Sequence, residues 1–344
     1  MKKIFYSFPI YASFVKNDEA LLMQHFVVKS FHFHQQKNKI IFSFIKQFFT
    51  LLMKCWSTDM YLSFFAGYSS WLPGIFAKLS GKPHLIILGG TDCCAFPSFG
   101  YGNFQKKIMS RFTSASLKMA AHLIPVDQSL VESENSFVKE IYPKQGYKIF
   151  CPDAKAPVTV INIGYDPEKF YCSQKKNKNS FLTMAQMNWA NYYRKGIDLM
   201  FEMANRFPDC SFTLVGHNPA MQFESVPENL ELIPFVPYEQ IKDLYSAHEF
   251  YLQLSIMEGF PSAPCEAMLC ECIPIVSNVA ALPDIVGDAG FTLDKKDFDL
   301  LEQLIKTALQ SDREKLRIKA RERIISKYPK NLREKLVELI NTNS

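Results

Sequence analysis

Two glutamates eight residues apart, Glu258 and Glu266, bracket a Gly-Phe-Pro turn in the stretch MEGFPSAPCEAM, and the strand-like run FYLQLSI ends just before them at Ile256. A carboxylate at the end of a buried strand is costly unless something donates to its oxygens. Gly259 follows on the strand-to-helix loop, and Pro264 is placed to open a helix that carries Glu266 in its first turn. The backbone of Gly259, Phe260, Pro261 and Ser262, together with that helix start, forms a patch of unpaired donors suited to a diphosphate. Carboxylates repel phosphate, so the two glutamates are suited to accepting hydrogen bonds from hydroxyls, and one carboxylate can take two neighbouring hydroxyls at once. A ribose diol, a diphosphate and a sugar would satisfy the whole stretch. A capping glutamate beside a solvated one is the competing reading of the spacing.

The elements that would hold these residues alternate along the chain. In the first half the β-rich runs KKIFYSF, VVKSFHF, DMYLSFFAG, PHLIILGG and HLIPVD are separated by helical patterns near 17–26, 39–54, 69–80, 104–120 and 128–141. After VTVINIGYDPEKF the polar stretch YCSQKKNKNS reads as a linker. The alternation then resumes with SFLTMAQ, KGIDLMFEMANRF, SFTLVGH, LELIPFV, YEQIKDLYSAH, FYLQLSI, CEAMLCE and CIPIVSN. Such alternation predicts parallel sheets covered by helices, hence an α/β chain of two doubly wound domains facing each other across a cleft. Ligands of such sheets bind outside the carboxyl ends of the strands, where Glu258 falls.

Composition agrees with a folded, two-domain protein. The chain has 344 residues, 48% of them apolar and 21% charged, which excludes a disordered or fibrous protein. The nine cysteines form no CxxC pair and several lie in apolar runs, the pattern of reduced, packed thiols in a cytoplasmic protein. The basic start MKKIFYSFPIYASF reads as a first strand rather than a signal peptide, and no unbroken apolar run is long enough for a membrane span. Residues 1–170 carry 19 Lys+Arg against 11 Asp+Glu, a balance of +8, whereas residues 171–344 carry 20 against 23, a balance of −3. The basic half should meet something anionic; nothing in the sequence points to nucleic acid.

The segment LSIMEGFPSAPCEAMLCECIPIVSNVAALPDIVGDAGFTL resembles the E-x7-E donor-binding signature of family 4 glycosyltransferases over about forty residues. Three weaker similarities accompany it in the same order: VINIGYDPEKF, YYRKGIDLMFEMANRFPDCSFTLVGHN and IPFVPYEQIKDLYSAHEFYLQLS. The resemblance implies the GT-B architecture, two Rossmann-like domains, and a retaining transfer of a sugar from a nucleotide-diphosphate sugar to an acceptor hydroxyl. By that resemblance Glu266 would hold the ribose hydroxyls, Glu258 would contact the donor sugar, and Lys195 with Arg194 would neutralise the departing diphosphate. A fixed cation serves where charge builds on a leaving phosphate, so no metal and no other cofactor is implied. A sugar-nucleotide epimerase or hydrolase and a non-catalytic nucleotide-sugar binder are the alternatives.

The sequence also departs from the family. Gln186 and Met187 stand where many relatives carry Gly-Arg, Glu271 stands where a helix-ending glycine often lies, and the amino-terminal glycine-rich loop of many relatives is absent from KKIFYSFPIYASF. In the first half LGGTDCCAFPSFGYG places Asp92 in a glycine-rich loop after a strand. The corresponding loop of relatives commonly contacts the transferred sugar, which makes Asp92 a candidate polar partner at the cleft edge. The expected organisation is an acceptor-binding domain over 1–170, a donor-binding domain over 171–325, and a carboxyl-terminal helix over 326–344 that crosses back to the first domain. The acceptor would be a glycan or a lipid-linked molecule. The segment KNKIIFSFIKQFFTLLMKCW is amphipathic, with Ile41, Phe44, Ile45, Phe48 and Leu52 on one face and Ser43, Lys46, Gln47, Thr50 and Lys54 on the other. It is either a packed Rossmann helix or an interfacial one giving peripheral contact with the inner face of a membrane.

Overall fold

The computed structural model describes residues 1–343 and contains two compact units. Unit 1 comprises Met1–Glu134, Lys144–Ile163 and the chain from Asn331 onward; unit 2 comprises Asn135–Pro143 and Gly164–Lys330.

In unit 1 the strands are β1 (Lys3–Phe8), β2 (Val27–His32), β3 (Met60–Phe64), β4 (His84–Leu88) and β5 (His122–Pro125). They pair in parallel in the order β2-β1-β3-β4-β5, the doubly wound order in which the chain reverses direction once. Every residue of β3, β4 and β5 is buried, as expected for strands covered on both faces. The covering helices are α1 (Ser13–His25), α2 (Ile40–Lys54), α3 (Tyr68–Ser80) and α4 (Lys107–Met119). A helix over 128–141 does not form. Asp127 accepts from the backbone and hydroxyl of Ser129, making a tight turn, and β6 (Ser133–Glu134) then pairs antiparallel with β7 (Lys144–Gln145) ahead of the short α5 (Tyr147–Phe150). Hydrogen bonds to distant backbone, among them Asn135 to Ile256 within unit 2, outweigh the local helical pattern of this segment.

Unit 2 contains β8 (Asn177–Met184), α6 (Trp189–Arg194), α7 (Ile197–Arg206), β9 (Ser211–His217), β10 (Leu230–Pro234), α8 (Tyr238–Ala247), β11 (His248–Gln253), α9 (Ser262–Leu269), β12 (Ile273–Ser277), α10 (Leu282–Val286), β13 (Phe291–Leu293), α11 (Phe298–Gln310) and α12 (Arg313–Lys327). Its six strands are parallel in the order β10-β9-β8-β11-β12-β13. That order reverses between β8 and β11, so a ligand crevice is expected outside the carboxyl ends of those two strands. The polar stretch 171–180 is docked rather than free. The buried Lys176 ammonium donates to the carbonyls of Tyr245 and Cys270 at 2.9 and 2.7 Å, near the carboxyl ends of α8 and α9, where a cation meets the negative ends of the helix dipoles.

The final helix, α13 (Glu334–Thr342), belongs to unit 1 and buries Leu336, Val337 and Ile340 there. Just before it, the Arg333 guanidinium forks onto the Asp18 carboxylate at 2.7 and 2.8 Å and donates to Ile161 O at 2.8 Å, all buried. A bidentate pair of this kind fixes orientation as well as charge. All nine cysteines are free thiols.

Candidate functional site in unit 2

β11 ends at Gln253, earlier than the apolar run suggests, and residues 254–257 lead without regular structure, bending at Ile256, to Glu258. The Glu258 carboxylate is nearly buried and accepts from the Lys195 ammonium and, at 3.0 Å, from Gln253 Nε2. Burial pushes this carboxyl upward, but the charges of Lys195 and Arg194 override that effect and hold it below its ordinary value. Glu258 is therefore ionised at neutral pH, and one anion is matched by two neighbouring cations.

Lys195 reaches Glu258 because of the residue that follows it. Gly196 has φ +69°, and a Cβ there would lie 2.3 Å from Leu254 O, so only glycine lets the α6–α7 turn come down onto the chain leaving β11. Ile256 N donates to Arg194 O at 2.9 Å, sealing the approach. The turn is braced from behind by Lys296, which donates to Tyr193 O and pairs with Asp198 at 2.8 Å. Arg194 itself donates through Nε and a terminal nitrogen to Asn191 Oδ1.

α9 begins at Ser262, not at Pro264, which places Glu266 in the second turn rather than the first. Pro261 precedes the helix in an extended conformation without a side-chain cap, and Phe260 anchors the loop against Tyr165 and Tyr328. Tyr165 OH lies 3.2 Å from Ser262 Oγ. Among the described residues no hydrogen bond is donated by the backbone amides of Gly259, Phe260 or Ser262. Pro264 takes the third helical position, where its missing N–H leaves no intrahelical bond unmade. Glu266 is buried, and the hydroxyls of Tyr245 and Tyr238 donate to its two oxygens at 3.3 and 3.4 Å. Burial pushes its carboxyl up to about 7, with those two hydroxyls drawing it partway back.

Tyr238, Ile241 and Tyr245 recur at helical spacing along one face of α8. The same face that holds Glu266 therefore borders a cavity of about 730 Å³, lined by the carboxyl ends of β8, β9 and β10 and by Ile241. Its walls include Met184–Met187, the 215–219 segment and Pro234–Val236. Gly216, at φ +97°, lets β9 bend within van der Waals reach of Ala185 O, where a Cβ would meet it at 2.4 Å. The buried His217 Nδ1 at this mouth has no partner among the described residues. The volume suits a small molecule. Gln186 and Met187, the departure from the family's Gly-Arg, line this cavity.

Lys195, Arg194, Glu258, Gly259–Ser262 and Glu266 thus cluster at the β8/β11 reversal. Asp92 does not behave as expected. It belongs to unit 1, is 0% exposed, and gives one oxygen to Ala66 N at 2.9 Å and the other to Gly89 N and Gly90 N at 3.1 and 3.0 Å. It ties two loops together rather than standing at an edge, because its short carboxylate is within reach of the Gly89 and Gly90 amides just before it and of Ala66 N on the loop after β3. Sequence reasoning missed Gly196, Asn135, Lys296 and the two tyrosines. Only Gly196, directly after a lysine at a helix boundary, carried a local signal. Glu271 does keep the left-handed conformation of the glycine it replaces (φ 61°), and Arg317 binds its carboxylate at 3.0 Å. Among the described residues no group of three or more His, Cys, Asp or Glu side chains is placed to hold a metal ion.

The fold is of the GT-B type, as its likeness to solved structures shows. Sucrose-phosphate synthase (tll1590) from Thermosynechococcus elongatus superposes with a TM-score of 0.75 over 99% of both chains at 14% identity. Anabaena Alr3699/HepE, solved in complex with UDP-glucose, superposes with a TM-score of 0.70 over 99% of this chain and 100% of that one at 13% identity. Residues 168–327 match the model of the family described as Glycosyl transferases group 1. The O-antigen chain mannosyltransferase B of Escherichia coli is 37% identical over 83 residues, 24% of this chain and 22% of that protein. The phosphatidylinositol N-acetylglucosaminyltransferase gpi3 subunit of Schizosaccharomyces pombe is 24% identical over 249 residues, 65% of this chain and 51% of that protein. The chain spans about half or less of the length of these curated relatives.

Proposed function

We propose that the chain is a retaining, metal-independent glycosyltransferase that moves a sugar from a nucleotide-diphosphate sugar to an acceptor hydroxyl in cell-surface glycan or glycolipid assembly. The observation that carries this reading is the Lys195–Glu258 pair set beside the uncapped start of α9, with Glu266 one helical turn beyond. A diphosphate would meet the open amides of Gly259, Phe260 and Ser262 and the cations Lys195 and Arg194. The ribose hydroxyls would donate to Glu266, and the base would enter the neighbouring cavity. As the glycosidic bond breaks, negative charge grows on the leaving phosphate, and a lysine already fixed by Glu258 stabilises that charge without reorganising. Glu258, held ionised, would accept from a hydroxyl of the donor sugar rather than attack it. The chemistry would then be same-face departure and attack, with the leaving phosphate oxygen taking the acceptor proton. The free thiols support a cytoplasmic setting. The alternatives are an epimerase, a hydrolase or a non-catalytic binder.

Incubation of the chain with uridine, guanosine and adenosine diphosphate sugars, with and without acceptor mixtures, distinguishes these. Nucleoside diphosphate release that depends on acceptor, and a product whose anomeric proton signals the donor's configuration, would agree with the proposal. Equal release without acceptor, an altered sugar nucleotide, or no turnover with any donor would each contradict it.

A further inference from the structure

α2 inverts the usual pattern over part of its inner face: two polar side chains are buried there beside Leu51 of the core and the partly buried Ile40 and Phe44, while most of its large apolar side chains face out. Its buried positions are Ser43, Gln47 and Leu51, while Ile41, Phe42, Ile45, Phe48, Phe49, Leu52 and Met53 are exposed. Ile41, Phe42 and Met53 are 72, 68 and 71% exposed. The inversion is enforced by specific bonds: Gln47 Nε2 donates to Ser7 Oγ and to Ser69 O at 2.9 and 2.8 Å, and Ser43 Oγ donates to His34 O at 3.2 Å. These contacts clamp the polar stripe onto β1 and α3 and turn the apolar stripe outward. Although Ile40–Ser57 is apolar and long enough to cross a membrane, the clamped stripe holds it flat along unit 1. At its end Trp56 is 93% exposed.

The apolar surface continues onto neighbouring helices. Phe112 of α4 packs against Phe44 and Trp71 with ring centroids 5.7 and 5.0 Å away, and Ile108, one turn earlier, is exposed. Phe44, Ile45, Phe48, Trp71 and Phe112 line an open groove of about 340 Å³. Exposed Lys37, Lys39, Lys46, Lys54, Lys107 and Arg111 surround the region, and α2, α3 and α4 contain no Asp or Glu. Between residues 20 and 126 there are 11 Lys+Arg and only two acids, Asp59 and Asp92. Asp59 accepts from Lys3 N and Asp92 is buried.

We propose that this face of unit 1 docks onto an anionic lipid bilayer, with the apolar stripe of α2 set among the acyl chains, one chain in the groove, and the flanking lysines at the headgroups. Apolar exposure alone would suit a second copy of the chain equally well. The charge decides between them, since two copies meeting through the same surface would bring one acid-free, lysine-rimmed patch against another, whereas anionic headgroups neutralise it. An interfacial helix has this distribution of bulky apolar residues and basic flanks. The surface is built from unit 1 and the donor cluster from unit 2, so vesicle binding and nucleotide binding are measured independently and either can fail alone.

The test is co-sedimentation of the full chain with phosphatidylcholine vesicles that contain or lack a third of phosphatidylglycerol, at about 0.1 M and about 0.5 M salt. Trp56 emission is followed against a Trp56→Phe control. Each lysine near an anionic surface strengthens attachment about fivefold, so Lys46→Glu/Lys54→Glu should weaken binding by more than about tenfold. Ile45→Glu/Phe49→Glu, at exposed positions outside the hydrophobic core, should abolish binding while thermal unfolding and nucleotide binding stay close to those of the parent. A blue shift of Trp56 should accompany binding to anionic vesicles. Binding indifferent to lipid charge and to both variants, or no binding, overturns the proposal. So does a dimer in light scattering that Ile45→Glu/Phe49→Glu dissociates without any vesicle binding by the parent, which would make this face a contact between copies.

Discussion

A Cβ on Gly196 would lie 2.3 Å from the carbonyl oxygen of Leu254, and this close approach brings Lys195 onto Glu258. Gly196→Ala would impose a left-handed conformation costing about 1–2 kcal/mol on a residue with a Cβ. It would also push the α6–α7 turn away from β11. Nucleotide affinity should fall together with stability, whereas Gly81→Ala, at φ +67° with open space around it, should lose stability alone. Calorimetric titration with a nucleoside diphosphate checks both, and unchanged affinity in folded Gly196→Ala would refute the positioning role.

Glu266 makes donor binding pH-dependent. Burial pushes its carboxyl up to about 7, and hydroxyls that donate to it favour the ionised form, so the bound-state value lies lower. Affinity should be highest above pH 7 and fall by up to about tenfold per unit below it, levelling off once pH passes the bound-state value. Stability of the free chain runs the other way: a folded value raised above 4.5 gives a contribution fully present below that value and lost as pH rises through about 7. Glu266→Gln should flatten both profiles. Glu266→Ala should cost roughly 1.5–3 kcal/mol of donor binding. A pH-independent affinity in the parent would show that no hydroxyl reaches this carboxylate.

Asp92→Asn tests the opposite assignment. The amide nitrogen would confront backbone N–H donors that now bond to carboxylate oxygens, leaving at least one buried donor unpaired at about 1–3 kcal/mol. Lower thermal stability with unchanged nucleotide affinity is expected. Lost nucleotide affinity with full stability would return Asp92 to the donor.

Lys195→Ala should lower turnover more than it weakens donor binding, since the cation matters most when the leaving group carries its full charge. It also leaves the nearly buried Glu258 with Arg194 as its remaining neighbouring cation, so a loss of stability should accompany it. With charge neutralisation supplied by side chains, turnover in excess chelator should equal that in magnesium. Turnover lost in chelator and restored by magnesium or manganese would contradict that assignment.

Local signals were legible and distant ones were not. The strands of both parallel sheets other than β13, the strand-to-helix loop with Glu258 and the glutamate eight residues on could be read from the sequence because periodicity and spacing act within a few residues. Three features escaped it for a common reason. The segment 128–141 has a helical pattern but is broken into turns and a two-residue strand, and Asn135 within it bonds to Ile256 O. Gln47 and Ser43 lie among apolar neighbours, and only Ser7, Ser69 and His34 explain why the polar stripe faces inward. Asp92 sits in a glycine-rich loop that suggests a ligand, yet its partners include Ala66, on a different loop. In each case the deciding partner is far away in the chain.

The central claim is that unit 2 binds a nucleotide-diphosphate sugar at the β8/β11 reversal through Glu266, Lys195 and the start of α9. A thermal-shift titration with nucleosides, nucleoside diphosphates and nucleotide sugars measures it most directly. At about 100 times its dissociation constant the correct ligand should add about 2.7 kcal/mol to stability. The account predicts that at least one nucleoside diphosphate and its sugar raise the melting temperature, that the nucleoside alone has a smaller effect, and that Glu266→Ala shifts the titration to higher concentrations. No shift with any nucleotide, or a shift that Glu266→Ala leaves in place, would contradict it.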